Sequence, residues 1–405
     1  MKRLLLLVIT SLMILTACGN GNDKNSQSNN KQQEQNSNNV KTVATDQEVQ
    51  GDNYRTILPF KESQARGVLQ DNMANSYNGE DFENGLLHLS KSVFPTDNFL
   101  YQDGQYLDKN TVNAYLNPKY SKDEIDHMSE SEKESKKATE NLGLNPSHDG
   151  ETKPEKIAES SPAYLSNILE QDFYDTNDTK GKKIKGITIG LAMNSVYYYQ
   201  KEKDGETYSK SLDNKEIEKQ GKAMAQELLT RLRANKDLKN IPIHFAIYVQ
   251  SSQDAITPGH FIANTIVDDK QTKINKWNKI DEISALLPST EAEKYDKNLN
   301  NNFKQFNDDL QSYFSNFTQA IGKVKFVDKK PNRLVIDLPI DYYGQAETIG
   351  ITQYVTEQAK KYFDNIDSYE IRIKDGNNSR ALISKTKDDK DPQVHIYSCL
   401  LYTSP

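Results

Sequence analysis

Cysteine is almost missing from this chain of 405 residues: there are two, Cys18 and Cys399, and the long body between them has none. Disulfides and cysteine chemistry are therefore excluded as sources of the body's stability or activity. Positive charge is also in deficit. The net charge is −7, so phosphate polymers are repelled on average and nucleic acid is not an expected partner. The six histidines, His88, His127, His148, His244, His260 and His395, are scattered, with no H-E-x-x-H and no close pair of metal-ligand spacing. No G-x-S-x-G, no S-x-x-K with its partner motifs, and no G-x-G-x-x-G after a strand occurs. The run "DTNDTKGKKIKG" has its glycine in the wrong place for a calcium loop and no closing glutamate, so it reads as a turn. His244 and Asp337 fall in strand-like runs and read as structural. These absences predict a body that is not an enzyme and needs no cofactor and no metal.

Long apolar runs are missing too, with one exception. "LLLLVITSLMILTACGN" spans Leu4 to Asn20 and follows Lys2 and Arg3. Its apolar part, Leu4 to Leu15, is about a dozen residues, too short for the roughly 20 a membrane helix needs and right for the core of a signal peptide. Leu15-Thr16-Ala17-Cys18 then places small residues before a cysteine, where a signal peptidase can enter and the thiol can carry a diacylglyceryl thioether. The expectation is a lipoprotein signal peptide over 1–17, cleavage between Ala17 and Cys18, and lipidation at Cys18. The partners would be the lipoprotein-processing enzymes and, through the lipid anchor, the membrane. The location would be the extracytoplasmic face of the cell membrane.

Gly19 to Asp52 is Asn, Gln, Ser, Lys and Asp with almost no apolar content. Such a segment cannot offset its chain entropy by burial, so 18–52 is predicted to be a disordered, lipidated tether. About 34 flexible residues reach roughly 30–35 Å on a root-mean-square basis.

The rest divides into three. Residues 53–183 form an N-terminal α+β region that is irregular and polar, with a helix placing Phe82, Leu86, Leu89 and Val93 on one face. Its charged run from Lys119 to Gly143 reads as solvated helix or loop. Residues 184–290 and 291–397 resemble one another: strand, tyrosine-containing loop, helix, strand, strand. In the first, "KGITIGLAM" leads to Tyr197, Tyr198 and Tyr199. In the second, "NRLVIDLPI" leads to Tyr342 and Tyr343, and then to a helix with Ile349, Tyr354, Val355 and Phe363 inward. A long helix from Glu291 to Ile321 precedes the second. The predicted fold class is α+β: two related strand-helix-strand-strand repeat units with mostly antiparallel sheets, plus the irregular N-terminal region. The two tyrosine groups are the candidate binding surface, because a tyrosine offers a flat apolar ring and a polar tip. They name no ligand for the body.

The leader, "YRTILPFKESQARGV", "FPTDNFLYQDGQYL" and the two strand-helix-strand-strand segments together resemble the CamS family, staphylococcal and related Gram-positive lipoproteins described as precursors of the sex pheromone cAM373. The resemblance implies that the discarded leader releases a hydrophobic heptapeptide which induces mating in enterococci through a pheromone receptor. The matching residues are Ser11, Leu12, Met13, Ile14, Leu15, Thr16 and Ala17. The family's peptide begins Ala-Ile-Phe-Ile-Leu. Here Ile14-Leu15 are kept, with Ser11, Leu12 and Met13 in front of them. The resemblance ends near Tyr397, and 398–405, "SCLLYTSP", reads as a non-native tail. Two other functions fit the residues: a ligand-binding or adhesion lipoprotein acting through the repeat units, and a cell-wall enzyme, which the missing motifs disfavour.

Overall fold

The computed structural model describes residues 43–44, 53–177, 183–314, 318–341 and 344–397. The expected signal peptide, Cys18, the heptapeptide Ser11–Ala17, Tyr342, Tyr343 and the tail from 398 lie outside the described residues. Of the expected tether, Val43 and Ala44 are described.

The first part of the chain runs β1 (Val43–Ala44), β2 (Arg55–Leu58), α1 (Arg66–Asn72), α2 (Ser76–Ser90), β3 (Phe99–Asp103), α3 (Lys109–Leu116), α4 (Lys122–His127), α5 (Glu130–Ser135) and α6 (Pro154–Ser160). Next come β4 (Leu165–Asp175), β5 (Ile184–Asn194), a ribbon of β6 (Val196–Gln200) and β7 (Thr207–Ser211), α7 (Asn214–Ala234), β8 (Ile243–Gln250), β9 (His260–Val267) and β10 (Asn278–Lys279). The sheet order is β1-β2-β3-β4-β5-β8-β9-β10. Two pairs in it are parallel, β2 with β3 and β5 with β8. β1 pairs Val43 and Ala44 with Leu58 and Ile57, so the chain is already in register with the body there.

Strands β5 and β8 are apolar almost throughout because both of their faces are covered. Ile187, Ile189 and Leu191 of β5 and Phe245 and Ile247 of β8 pack with Met224, Leu228 and Leu229 of α7. On the opposite face Ala192, Ala246 and Tyr248 pack with Phe82 and Leu86 of α2. That second face needs room at β5: a Cβ on Gly190 would stand 2.7 Å from the Phe82 ring. Each fully buried Phe or Leu here contributes about 1.5–3 kcal/mol.

The second part comprises β11 (Glu282–Leu287), α8 (Thr290–Tyr295), α9 (Lys297–Tyr313), β12 (Ile321–Val327), β13 (Lys330–Pro339), α10 (Gln345–Phe363), β14 (Ser368–Asp375), β15 (Asn378–Lys385) and β16 (Gln393–Ile396). Its sheet runs β11-β12-β13-β14-β15-β16, parallel at β13–β14. Here the strands alternate. Leu334, Ile336 and Leu338 of β13 and Tyr369, Ile371 and Ile373 of β14 pack with Phe303, Phe306 and Leu310 of α9 and Val355, Ala359 and Phe363 of α10. The intervening residues, among them Arg333, Asp337, Glu370, Arg372 and Lys374, project from the other face, as period-two alternation requires. The fold is thus α+β with mostly antiparallel sheets, as the residue patterns imply.

Four local expectations are corrected. The helix expected over 291–321 is two helices. Asp296 ends α8 and caps α9, its carboxylate accepting the N–H of Leu299 at 2.9 Å, the usual role of Asp at a helix start. In α10, Ile349 is exposed and Tyr354 half-buried; the inward face is Ile351, Val355, Ala359 and Phe363. α2 ends at Ser90, so Val93 lies in the following turn. The stretch before Asp175, read as irregular, contains the eleven-residue buried strand β4.

β4-β5-α7-β8-β9 and β12-β13-α10-β14-β15 share one strand order and one set of directions: antiparallel hairpin, parallel crossover, antiparallel hairpin. The match is one of topology, which common strand-helix-strand patterning also produces. Descent of the two units by duplication is not established by it.

Candidate functional site: a tyrosine ribbon at the ends of two parallel strands

The carboxyl ends of parallel strands are where open α/β sheets gather their ligand-binding loops. In the first sheet these ends are Asn194 of β5 and Gln250 of β8. Their amides meet, Gln250 Nε2 donating to Asn194 Oδ1 at 2.6 Å. Each is tied outward as well: Asn194 Nδ2 donates to Ala163 O at 2.9 Å, and Gln250 Oε1 accepts from Ala74 N at 2.8 Å.

The loop from Ser251 to Gly259 joins β8 to β9 over this end, and one buried side chain holds it. Asn78 of α2 accepts at Oδ1 from Ser251 N (3.0 Å), Ser251 Oγ (3.1 Å), Gly259 N (2.9 Å) and Tyr248 Oη (3.3 Å). Its Nδ2 donates to Ser251 O at 3.2 Å. Gly259 has no alternative, because a Cβ there would lie 2.0 Å from Val249 O.

The ribbon β6–β7 rises from the same end, inserted between β5 and α7 and paired with neither large sheet. The alternation of a strand splits the three expected tyrosines. Tyr197 and Tyr199 share a face with Tyr208, in a row with ring centroids 6.1 and 5.7 Å apart and planes 16° and 26° from parallel. Lys201 Nζ stands 4.3 Å from the centre of the Tyr208 ring. Tyr198 is on the opposite face, where its hydroxyl accepts the N–H of Gln253 at 3.1 Å and braces the loop. Burial pushes the Tyr197 hydroxyl above its ordinary range. Lys210 of the ribbon donates to Glu159 O of α6 at 3.3 Å. All four tyrosines are half-buried. The row offers flat apolar faces, polar tips and a cation.

Two buried acids were not legible as a pair. Glu170 and Asp172 of β4 point the same way and are 5% and 0% exposed. Glu170 accepts the N–H groups of Tyr106 (3.0 Å) and Leu107 (2.7 Å), and Asp172 accepts that of Gln105 (3.0 Å). Burial raises both carboxyls above their usual range, and they hydrogen-bond to each other, so one proton is shared. The free oxygen of Asp172 has no other partner. Their place is to hold the turn at Gly104, where a Cβ would stand 2.5 Å from Glu170 Cβ. Sealed from solvent, they have no access to a substrate. Among the described residues no three His, Cys, Asp or Glu gather as a metal site.

Residues 60–391 match the family described as CamS sex pheromone cAM373 precursor. The structure is similar to that of the C-terminal domain of the sex pheromone staph-cAM373 precursor from Staphylococcus aureus. That comparison has 74% identity and a TM-score of 0.75, covering 82% of this chain and 100% of the other. It is also similar to the sex pheromone precursor from Lactobacillus salivarius subsp. salivarius UCC118. There the identity is 30% and the TM-score 0.76, covering 88% and 99% of the two chains. No relative was found among curated proteins. The chain belongs to the CamS family of sex pheromone cAM373 precursors.

Proposed function

We propose that this chain is a lipoprotein of the extracytoplasmic membrane face whose leader is the source of a short hydrophobic signalling peptide. The observation that carries the reading is the run Leu4–Leu15 ending in Thr16-Ala17-Cys18, set before a chain that matches the precursor family over 60–391. No helix among the described residues is long and apolar enough to cross a membrane, and in this reading Cys18 provides the attachment. At about 0.8 kcal/mol per buried methylene, two acyl chains contribute on the order of 20 kcal/mol of gross membrane affinity. Metabolic labelling with a fatty acid tests it. Label is expected on the unsubstituted protein and not on Cys18→Ala, which should leave the membrane fraction. Label retained by Cys18→Ala would refute the anchor.

The body, in the same reading, binds and does not catalyse. The tyrosine row at the carboxyl ends of β5 and β8 supports this. Tyr199→Ser, which interrupts the row at its centre, is expected to weaken retention of the soluble body on immobilised cell-wall glycans or surface proteins. Retention by the unsubstituted body on neither support would remove the ribbon from the reading.

A further inference from the structure

The two sheets do not share a core. The buried apolar residues of the first sheet form clusters with α7 on one face and α2 on the other. Those of the second sheet, from Ala285 to Ile383, form a cluster of their own with α8, α9 and α10. Between the two lies α2, and it has two characters. Phe82 and Leu86 turn to the first sheet. Tyr77, Glu80 and Asp81, spaced for one helix face, turn to the uncovered charged face of the second.

We propose that the two sheets are the cores of two lobes that open and close about the Lys279–Glu282 connection, and that Lys325 is the latch which holds α2 against the second sheet.

Lys325 of β12 reaches Asp81 at 2.7 Å, with side chains 21% and 18% exposed, so the pair is largely removed from water. Two residues earlier on the same strand, Lys323 Nζ lies 4.4 Å from the centre of the Tyr77 ring. Glu80 contributes to the field at Arg372 of β14. These are long side chains spanning a polar gap, the kind of contact across which lobes move by default. The connection itself is narrow: Ile280 N donates to Ile262 O at 2.9 Å, and Asp328 N to Asp281 O at 2.9 Å.

The groups around the latch come from five elements and the connection: Asp81 of α2, Tyr248 of β8, His260 of β9, Asp281 in the connection, Glu282 of β11 and Lys325 itself. Glu282 accepts the N–H of Phe261 at 3.4 Å. Burial raises its carboxyl, against the pull of Lys325. Burial, and then Lys325, holds His260 below its ordinary range, against Asp81 and Asp281. Acidification neutralises Glu282, which is on the same sheet as Lys325, and charges His260, which is on the first sheet. A charged His260 repels Lys325 and competes with it for Asp81, so the lobes should part as pH falls. Opening would separate Tyr77 from Lys323 and Glu80 from Arg372.

The cysteine-free body makes the test clean. In the mature chain with Cys18→Ser and Cys399→Ser, spin labels on cysteines at Lys219 and Lys297, which are 73% and 72% exposed, report the distance between the outer helices α7 and α9. One narrow distance is expected at neutral pH. Lys325→Met should broaden and lengthen it, Lys325→Arg should keep it, and Asp81→Lys with Lys325→Asp should restore it. The unsubstituted chain should move toward the Lys325→Met distribution as the pH is lowered below the ordinary histidine value. Identical distributions for Lys325→Met and the unsubstituted chain overturn the latch, and so does a Lys325→Arg chain as open as Lys325→Met. Should Lys325→Met fail to fold, an unsubstituted chain whose distance stays fixed on acidification up to the onset of unfolding overturns it equally.

Discussion

Thr188 Oγ1 and His244 Nδ1 lie 3.3 Å apart on the parallel strands β5 and β8, inside a sheet that admits no water to either. The contact continues through Thr188 to Ser90 Oγ (2.9 Å) and on to Gln171 Oε1 (3.3 Å). His244 Nε2 has no partner at all. Burial lowers the imidazole pKa to about 4. The unfolded chain takes up this proton near the ordinary value of about 6.5 and the folded chain only near 4, so stability rises with pH between the two and is lost on acidification. The loss amounts to roughly 3 kcal/mol at full extent. His244→Leu keeps the Thr188–Ser90 bond and should flatten the acid limb. Urea midpoints at about pH 4.5 and about pH 7 measure it; an equally steep limb in His244→Leu would locate the acid sensitivity elsewhere.

The acid pair on β4 has the opposite sign. Asp172 holds its proton well above the usual carboxylate range, so between that range and its raised value the folded chain binds more protons than the unfolded one. Stability is fully present below the ordinary value and declines as pH rises. Asp172→Asn keeps a neutral partner beside Glu170 and should remove the decline. Denaturation followed upward from about pH 4, the ordinary carboxylate value, reads the slope directly. A slope as steep in Asp172→Asn as in the unsubstituted chain would dismiss the shared proton.

Asn78 is the third test, because one side chain serves four donors. Asn78→Ala strands Gly259 N and Ser251 N without their acceptor, at a cost of about 2–6 kcal/mol given roughly 1–3 per buried unsatisfied group. Asn78→Asp keeps the acceptor and loses the donor to Ser251 O, so it should cost less. A melting temperature lowered equally by both would mean that the acceptor is not what matters.

These residues also mark where the sequence was readable. β5, β8, α7 and the second sheet were legible because their apolar periodicity survives to the surface of the pattern. β4 was not: Asn167, Glu170, Gln171 and Asp172 are buried within it, each answered by groups far along the chain, such as Val68 O for Asn167 Nδ2 at 2.9 Å. A strand whose buried positions are polar looks like a loop until its partners are seen. The break at Asp296, and the serine boxes Ser121–Glu124 and Ser129–Glu132 that start α4 and α5, carried a local signal of S-x-x-E and helix-capping Asp that periodicity overrode. The tyrosines were found by their clustering, but which of them share a face is decided by pairing with β7, and pairing is not local.

The last prediction concerns the leader. Cleavage before Cys18 and a second cut between Thr10 and Ser11 would free Ser11 to Ala17, a heptapeptide with no charged side chain. Such a peptide crosses bilayers readily and is short enough for a receptor pocket, where recognition rests on side-chain fit. One methylene in a tight apolar pocket is worth about 1–3 kcal/mol, or 10–200-fold. Relative to the family's Ala-Ile-Phe-Ile-Leu, this chain changes the first three residues, and Met13 replaces the aromatic ring with a flexible thioether that fills a ring-shaped pocket poorly. The leader should therefore be processed, with the peptide found in the medium by mass spectrometry, while its mating activity is reduced by two orders of magnitude or more (~100-fold from ~3 kcal/mol). Synthetic Ser-Leu-Met-Ile-Leu-Thr-Ala applied to responsive enterococci separates the two steps. Clumping at the concentrations that suffice for the family's peptide would show that Ser11, Leu12 and Met13 are not read by the receptor, and absence of the peptide from the medium would show that the leader is not processed to it.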